Sequence, residues 1–254
     1  MIASPTRKLL DRAWRHYWDG NHPALGHVLD SLVPTLPQLS SYGAELTEFW
    51  LLQGHLFSTN GEHKATASAF LVATDAARAL NDPLPLLAVQ LHVIDHALLH
   101  SRLDIAAAEL QAAKASADAL TEHPPEAQVL LGRLGFLSAL HAAHASGRTM
   151  ALPFLDRADR YARSLGREHV AYGIAFGPLH LKVDCTFLLV CFDDPQAALK
   201  LAASLDPTRL SPYRQALFLL DQAIAHADLG NQTAEAECYR QAQAILPNFQ
   251  RRAA

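Results

Sequence analysis

The sequence has few of the features that mark secreted, membrane or nucleic-acid-binding proteins. It contains only three cysteines, Cys185, Cys191 and Cys238, without disulfide spacing, which favours free thiols in a reducing compartment. No apolar run approaches the roughly 20 residues that span a bilayer, and no apolar core of a secretory signal is present. The net charge of −4 is not the basic balance of a nucleic-acid-binding domain. We therefore expect a cytoplasmic protein that binds neither membrane nor nucleic acid directly.

Recognisable catalytic motifs are also missing from the sequence. There is no GxSxG nucleophile elbow, no HExxH zinc motif, no phosphate-binding loop and no glycine-rich dinucleotide motif. We therefore favour a protein that is not an enzyme and that uses no cofactor. An unrecognised biosynthetic enzyme remains the alternative, because His55, His92 and His180 are residues able to exchange protons near neutral pH.

Apolar residues at helical spacing are abundant. Half of the 254 residues are apolar and 18% are charged, which allows a substantial buried core. Residues 104–120 and 211–230 have helical periodicity, and the second segment has Ser211 as its N-cap, Pro212 at its first position and Gly230 at its end. Because no segment alternates convincingly like a half-buried strand, we predict an all-α fold.

The helices are predicted to come in pairs. Turn-forming residues recur roughly every 40 residues, and prolines separate the pairs, as in a tetratricopeptide-repeat (TPR) solenoid. Residues 50–57, WLLQGHLF, resemble the Trp-x2-Leu-Gly-x2-Tyr core of that repeat, with Gln53 and Phe57 as departures. We predict one TPR-like right-handed solenoid domain of about six pairs over residues 1–254; a non-repetitive helical bundle is the alternative. The predicted pairs are residues 5–36, 43–80, 84–121, 125–165, 176–205 and 211–246.

Residues 171–250 resemble a known family region. The matching residues are Phe176-Gly177-Pro178, Asp194, Ala198-Leu199, Leu220-Asp221 and Ala223. They are similar to the C-terminal TPR region of actinobacterial helix-turn-helix transcriptional regulators of the XRE type. His180 and Asp184 depart from that family, which usually has Asn and His there. The resemblance implies a sensor or interaction module of transcriptional regulation or a secondary-metabolite pathway, here without the helix-turn-helix domain.

Polar residues on the first helix of each pair are candidates for ligand binding. In a TPR solenoid these helices line the concave face, although most such residues, taken singly, simply face solvent. As a set among leucines and Phe187, they would form an amphipathic groove for a peptide or a small amphiphilic ligand. The candidates are Glu48, His55, His92, Asp95, His180, Asp184 and Asp221.

The segment HVIDHALLH spaces three histidines four residues apart. An i, i+4 histidine pair is able to bind a transition metal, but the first and third histidines lie about 12 Å apart along a helix and cannot share an ion. A site would need histidines from the next first helix as well. Because no further ligand is fixed by the sequence, we predict that the purified protein contains well under one metal ion per chain. The best combination is His92, His96, His141 and His144.

A protein–protein scaffold is the alternative to a ligand-binding module. A solenoid must cap its two ends or bury them against a partner. The last helix is predicted to expose Ile245, Leu246 and Phe249 near the C-terminus. A partner protein, or a second copy of the chain in a two-fold homodimer, would cover this apolar end.

Overall fold

The computed structural model describes residues 4–36 and 43–247, and these contain twelve α-helices and two short strands. The predicted all-α, solenoid-like fold of paired helices is therefore confirmed. The first helices of the pairs are α1 (Pro5–Trp18), α3 (Gly43–Thr59), α5 (Pro83–Leu99), α7 (Pro125–Ser146), α9 (Pro178–Cys191) and α11 (Pro212–Asp228). The second helices are α2 (His22–Leu32), α4 (His63–Arg78), α6 (Leu103–Asp118), α8 (Arg148–Leu165), α10 (Pro195–Ala202) and α12 (Gln232–Ile245).

Prolines mark where most of the first helices begin. Pro5, Pro83 and Pro212 each occupy the first helical position, where the missing N–H has no intrahelical partner to lose. The preceding side chain often caps the helix: Ser4 accepts from the third amide of α1, and Ser211 does the same for α11. The proline punctuation of the sequence is therefore a direct record of the helix starts.

The first helices form a closed ring. Short turns join the two helices of each pair, so these helices run antiparallel and all first helices run in the same direction. Neighbouring first helices pack in chain order, and α11 packs in turn against α1. At this closure the ring of Tyr213 lies 5.4 Å from that of Tyr17 and 5.9 Å from that of Trp18, measured between centroids. The solenoid thus has an inner face enclosed by six helices.

The C-terminal end of α12 helps to close this ring. Leu246 is buried, and its side chain packs directly on Gly20, where a Cβ atom would lie 2.3 Å from Leu246 Cδ2. The prediction that Leu246 is exposed is therefore wrong, because the curvature of the solenoid brings its last turn onto its first. Ile245 is partly buried, and Phe249 lies outside the described residues.

The core lies between the first helices and the second helices that surround them. Small residues allow the outer helices to approach closely: Ala106 and Ala113 of α6 and Ala151 and Ala158 of α8 are all fully buried. None of the helices within residues 4–36 and 43–247 is long and apolar enough to cross a membrane.

An antiparallel hairpin of β1 (His169–Ala171) and β2 (Ile174–Phe176) connects α8 to α9. The expectation of no strand is wrong here, because three-residue strands are too short for an alternating pattern to be visible. Tyr172 and Gly173 form the turn with φ angles of 49° and 73°, as a two-residue type I′ turn requires. Phe176 is fully buried against Gly132 of α7, so the hairpin is anchored in the core.

Candidate functional site

All of the predicted ligand-binding residues lie on first helices, and the structure divides them into four groups. One is an ion pair between α1 and α3, one is a histidine pair, one is a cluster of charges, and one caps a helix. Glu48 and His55 lie on α3, His92 and Asp95 on α5, His180 and Asp184 on α9, and Asp221 on α11.

Glu48 joins α3 to α1. Its two carboxylate oxygens accept hydrogen bonds from the guanidinium of Arg7 at 2.5 and 3.0 Å, and one of them also accepts from Nε1 of Trp14 at 2.8 Å. This hydrogen bond with Glu48 is the main cause that raises the pKa of Arg7. Glu48 and Trp14 are buried and Arg7 is partly exposed, so the Glu48 carboxylate is occupied in holding the two helices together.

His55 and His92 form a hydrogen-bonded pair between α3 and α5. The carbonyl oxygen of Tyr172 lies 2.8 Å from Nε2 of His92, so that nitrogen must carry a proton. Nδ1 of His92 is then the acceptor for Nε2–H of His55 at 3.0 Å. The hydroxyl of Tyr17 lies 3.5 Å from Nδ1 of His55, and the indole of Trp14 stacks on His92 at 5.8 Å between centroids.

This pair is electrically neutral at pH 7. Burial lowers the pKa of His55 well below its ordinary value, and His92 and His96 lower it further. Burial also lowers the pKa of His92, against the opposing effect of its hydrogen bond to Tyr172. Two neutral imidazoles are what the chain of donors and acceptors demands, because each then donates once and accepts once.

The hairpin covers part of the inner face. The backbone of Gly173 lies against the indole of Trp14, where a Cβ atom would be 2.2 Å from the ring, and the neighbouring Tyr172 carbonyl reaches His92. Because the hairpin directly precedes α9, it enters from the N-terminal end of the first helices. The hairpin therefore covers the inner face around Trp14 and His92, and we call the part of the inner face where Asp95 and Asp221 keep solvent exposure the open end.

Asp95, Arg133, Asp184, Arg214 and Asp221 form a charge cluster on the inner face. Asp184 is buried and accepts from Nη1 of Arg133 at 2.7 Å and from Nη2 of Arg214. Nη2 of Arg133 donates to Asp95, also at 2.7 Å, and the Asp95 side chain is half exposed. Asp221 is partly exposed and interacts electrostatically with Arg214 and Asp184. Within the described residues, no hydrogen bond or ion pair is formed by the Asp221 carboxylate.

The pKa values of Asp184 and Asp221 are shifted in opposite directions. Burial raises the pKa of Asp184, but the charges of Arg214 and Arg133 outweigh it and lower that pKa below its ordinary value. Burial raises the pKa of Asp221 to about 7, the charge of Asp184 adds to this, and Arg214 opposes it. Asp184 is therefore ionised at neutral pH, whereas Asp221 is partly protonated.

His180 belongs to a helix cap rather than to the charge cluster. Its Nδ1 donates a hydrogen bond to Glu168, whose other oxygen accepts from the amide of Leu179 at 2.7 Å. Burial raises the pKa of Glu168, but these hydrogen bonds outweigh it and lower the pKa. The carboxylate thus sits at the N-terminus of α9, where it also complements the helix dipole.

Sequence reasoning missed the partners of the predicted residues. Arg133 had a signal, because it is a lone charge in the apolar run LLGRLGFL and a buried charge needs a partner. Arg214 had a weaker one, since it lies seven residues, two helical turns, before Asp221 and so shares its face. Nothing in the sequence marked Tyr172, whose backbone carbonyl acts through the hairpin.

The histidines considered as metal ligands are not assembled into one site. Both ring nitrogens of His92 are engaged, with His55 and with Tyr172. Nε2 of His144 instead lies 3.8 Å from Sγ of Cys191, a thiol whose pKa burial raises to about 12. In the part of the chain that the structure describes, no group of three or more His, Cys, Asp or Glu residues is placed to hold a metal ion.

Comparison with known proteins indicates no function for this chain. No family model, curated protein or solved structure matches the chain. The chemistry of the site is therefore assessed from its own side chains, their exposure and their charges.

Proposed function

We propose that this protein is a non-enzymatic binding module that takes a peptide or a small amphiphilic ligand at the open end of its ring of first helices. The role fits a sensor in transcriptional regulation or in a secondary-metabolite pathway. The observation that carries the proposal is the charge cluster, which spans α5, α7, α9 and α11 and leaves two carboxylates, Asp95 and Asp221, at least partly exposed to solvent.

The surroundings of these carboxylates suit an amphiphilic ligand. Phe187 and Cys191 of α9 are partly exposed on the face that carries Asp184, because positions three or four and seven apart share one side of a helix. An apolar wall beside a small number of polar groups is the usual composition of a ligand site. Glu48, by contrast, is buried and hydrogen-bonded to Arg7 and Trp14, and it serves to hold α1 against α3.

A binding role is favoured over catalysis by the state of the histidine pair. His92 is buried and donates to the Tyr172 carbonyl, and its other nitrogen accepts from His55. A general base needs a free nitrogen within hydrogen-bond reach of a substrate. Because both ring nitrogens of His92 form hydrogen bonds within the protein, this side chain holds the hairpin in place.

A ligand screen by thermal unfolding tests the proposal. We expect short peptides or amphiphiles to raise the unfolding temperature, with about 2.7 kcal/mol of stabilisation at 100 times Kd. Asp95→Asn at the open end should weaken the hits, whereas Asp118→Asn on the exposed side of α6 should not. A library without any hit, or hits that bind equally well to both variants, would contradict binding at the open end.

A further inference from the structure

We propose that the group recognised at the open end is a positively charged nitrogen, an ammonium or a guanidinium, which pairs with Asp221 of the charge cluster. This inference rests on the proposed binding function and names its ligand chemistry. The source is an amphiphilic amine or the basic side chain of a peptide, since both present the same cationic group.

The charge cluster contains more carboxylates than guanidinium groups. Arg133 and Arg214 supply two positive charges, whereas Asp95, Asp184 and Asp221 supply three negative charges when all are ionised. Arg7 is already paired with Glu48 and Asp11, so it does not balance this excess. One carboxylate is thus left over, and a monovalent cationic ligand would balance it.

The two arginines of the cluster are largely occupied by its own carboxylates. Arg133 gives Nη1 to Asp184 and Nη2 to Asp95, and Arg214 gives Nη2 to Asp184, so three of their four terminal nitrogens already donate to carboxylates of the cluster. Nε of Arg214 is buried without an acceptor, out of reach of a ligand. The Asp221 carboxylate, by contrast, is partly exposed and lacks a hydrogen-bonded partner among the described residues.

The charges around Asp221 favour binding of a cation at this carboxylate. Arg214 on its own helix stabilises its charge, Asp184 on the neighbouring α9 opposes it, and the Cys191 thiol on α9 lies nearby in its neutral form. From α1, which packs on the other side of α11, aromatic rings of Tyr17 and Trp18 meet the start of α11. A cationic ligand beside Asp221, in addition to Arg214, would therefore offset the repulsion between the carboxylates of Asp221 and Asp184.

Binding of such a ligand is expected to release a proton. Burial raises the pKa of Asp221 to about 7, so at pH 6 most molecules carry a proton on this carboxylate. The cation binds the ionised form, and the displaced proton goes to the buffer. Affinity should therefore rise by up to tenfold per pH unit below pH 7 and become constant above it. An alkylammonium stays charged throughout this range, so it contributes nothing to the pH dependence.

Isothermal titration with three six-carbon probes tests the charge preference. Hexylamine is the cation, hexanoate the anion and hexanol the neutral control, and an amidated arginine tetrapeptide forms the peptide arm. We expect hexylamine or the peptide to bind at least tenfold more tightly than hexanoate and hexanol at pH 8. Whichever cationic probe binds more tightly identifies the source. Equal or tighter binding of hexanol or hexanoate would overturn the proposal.

Proton release and one variant complete the test. Titration at pH 6 in phosphate and in MES, which differ in ionisation enthalpy, should show nearly one proton released per ligand, and titration at pH 8 in phosphate and in HEPES should show a value close to zero. Asp221→Asn should lose at least tenfold in affinity and all of the pH dependence, while Asp228→Asn, exposed at the end of the same helix, should change neither. If a cationic probe binds at pH 6 without releasing a proton, the assignment to Asp221 is wrong, and no variant is needed to show it. If only neutral or anionic probes bind, the preference for a cation is wrong, whereas the proposed binding function is still supported.

Discussion

Nε2 of His55 donates a hydrogen bond to Nδ1 of His92 across 3.0 Å and so joins α3 to α5 inside the ring. The direction of this bond is set at its far end, because the carbonyl of Tyr172 accepts from Nε2 of His92 at 2.8 Å. A single arrangement of protons therefore links two first helices to the hairpin. The same pair makes the stability of the fold sensitive to acid.

Acid is expected to destabilise the protein through this histidine pair. The folded-state pKa values of His55 and His92 lie below the ordinary value of 6.5, so the unfolded chain binds more protons in acid. Their contribution is complete above about pH 6.5 and is lost as the pH falls toward the folded-state values, with a slope of up to about 1.4 kcal/mol per pH unit for each histidine. Urea unfolding between pH 7.5 and 5 measures this slope.

Two histidine variants isolate the effect. His55→Gln removes one of the titrating groups and should flatten the dependence of unfolding free energy on pH, even though the variant is less stable. His123→Gln, at an exposed position before α7, should keep the slope of the unaltered chain. The same slope in both variants would assign the acid sensitivity to other groups.

Loss of the Asp184 charge is expected to destabilise the ring strongly. Asp184→Asn leaves the guanidinium groups of Arg133 and Arg214 without their shared buried counter-ion, for which a loss of about 3–5 kcal/mol is typical. Asp95→Asn removes a half-exposed partner of the same Arg133 and should cost less than about 1 kcal/mol. Urea unfolding at pH 7.5 compares the two, and similar losses would refute the structural role of Asp184.

Gly173→Ala is expected to disturb the hairpin turn. Its φ of 73° disfavours a side chain, and the added Cβ would lie 2.2 Å from the Trp14 ring. Backbone strain and overpacking together should destabilise by about 2–4 kcal/mol. Gly230→Ala is the matched control, because its φ is 71° with no atom within 4 Å of the new Cβ, and it should lose only about 1–2 kcal/mol. Chemical unfolding that ranks the two variants equally would count against the close packing on Trp14.

Gly132→Ala and Gly26→Ala are expected to change stability in opposite directions. Alanine is favoured over glycine inside a helix by about 1 kcal/mol. At Gly132 of α7, however, the new Cβ would lie 2.1 Å from the ring of Phe176, whereas at Gly26 of α2 the nearest atom of Leu56 is 3.7 Å away. Unfolding midpoints should therefore fall for the first variant and rise for the second, and a rise for both would mean that Phe176 moves aside without loss.

The helix plan was predictable because its signals are local. Pro83, Pro125 and Pro212 lie at helix starts, where a proline is tolerated, and Asp82 and Ser211 cap the first and the last of these helices. The hairpin was not predictable, because its short strands owe their pairing to Phe176 packing on Gly132, a contact far apart in the chain. For the same reason the burial of Leu246 against Gly20 could not be read from a helix end that looked exposed.

The sequence predicted that the candidate residues lie on first helices, but it did not predict the role of each one. The repeat period placed Asp184 and Asp221 on first helices, and the structure pairs Asp184 with two arginines, whereas Asp221 forms no hydrogen bond or ion pair with any of the described residues. Their ligand-binding function stays a prediction that the titrations above address.

The sequence by itself determined where helices begin and end and which of them carry polar residues, because propensity, caps and periodicity act over a few neighbouring residues. Only the tertiary structure decided which charges meet. Closure of the ring brings α11 to α1, the hairpin places a carbonyl beside His92, and packing of four helices sets two guanidinium groups among three carboxylates. These outcomes depend on distances between segments far apart in the chain, and burial then turns each distance into a pKa and a free energy.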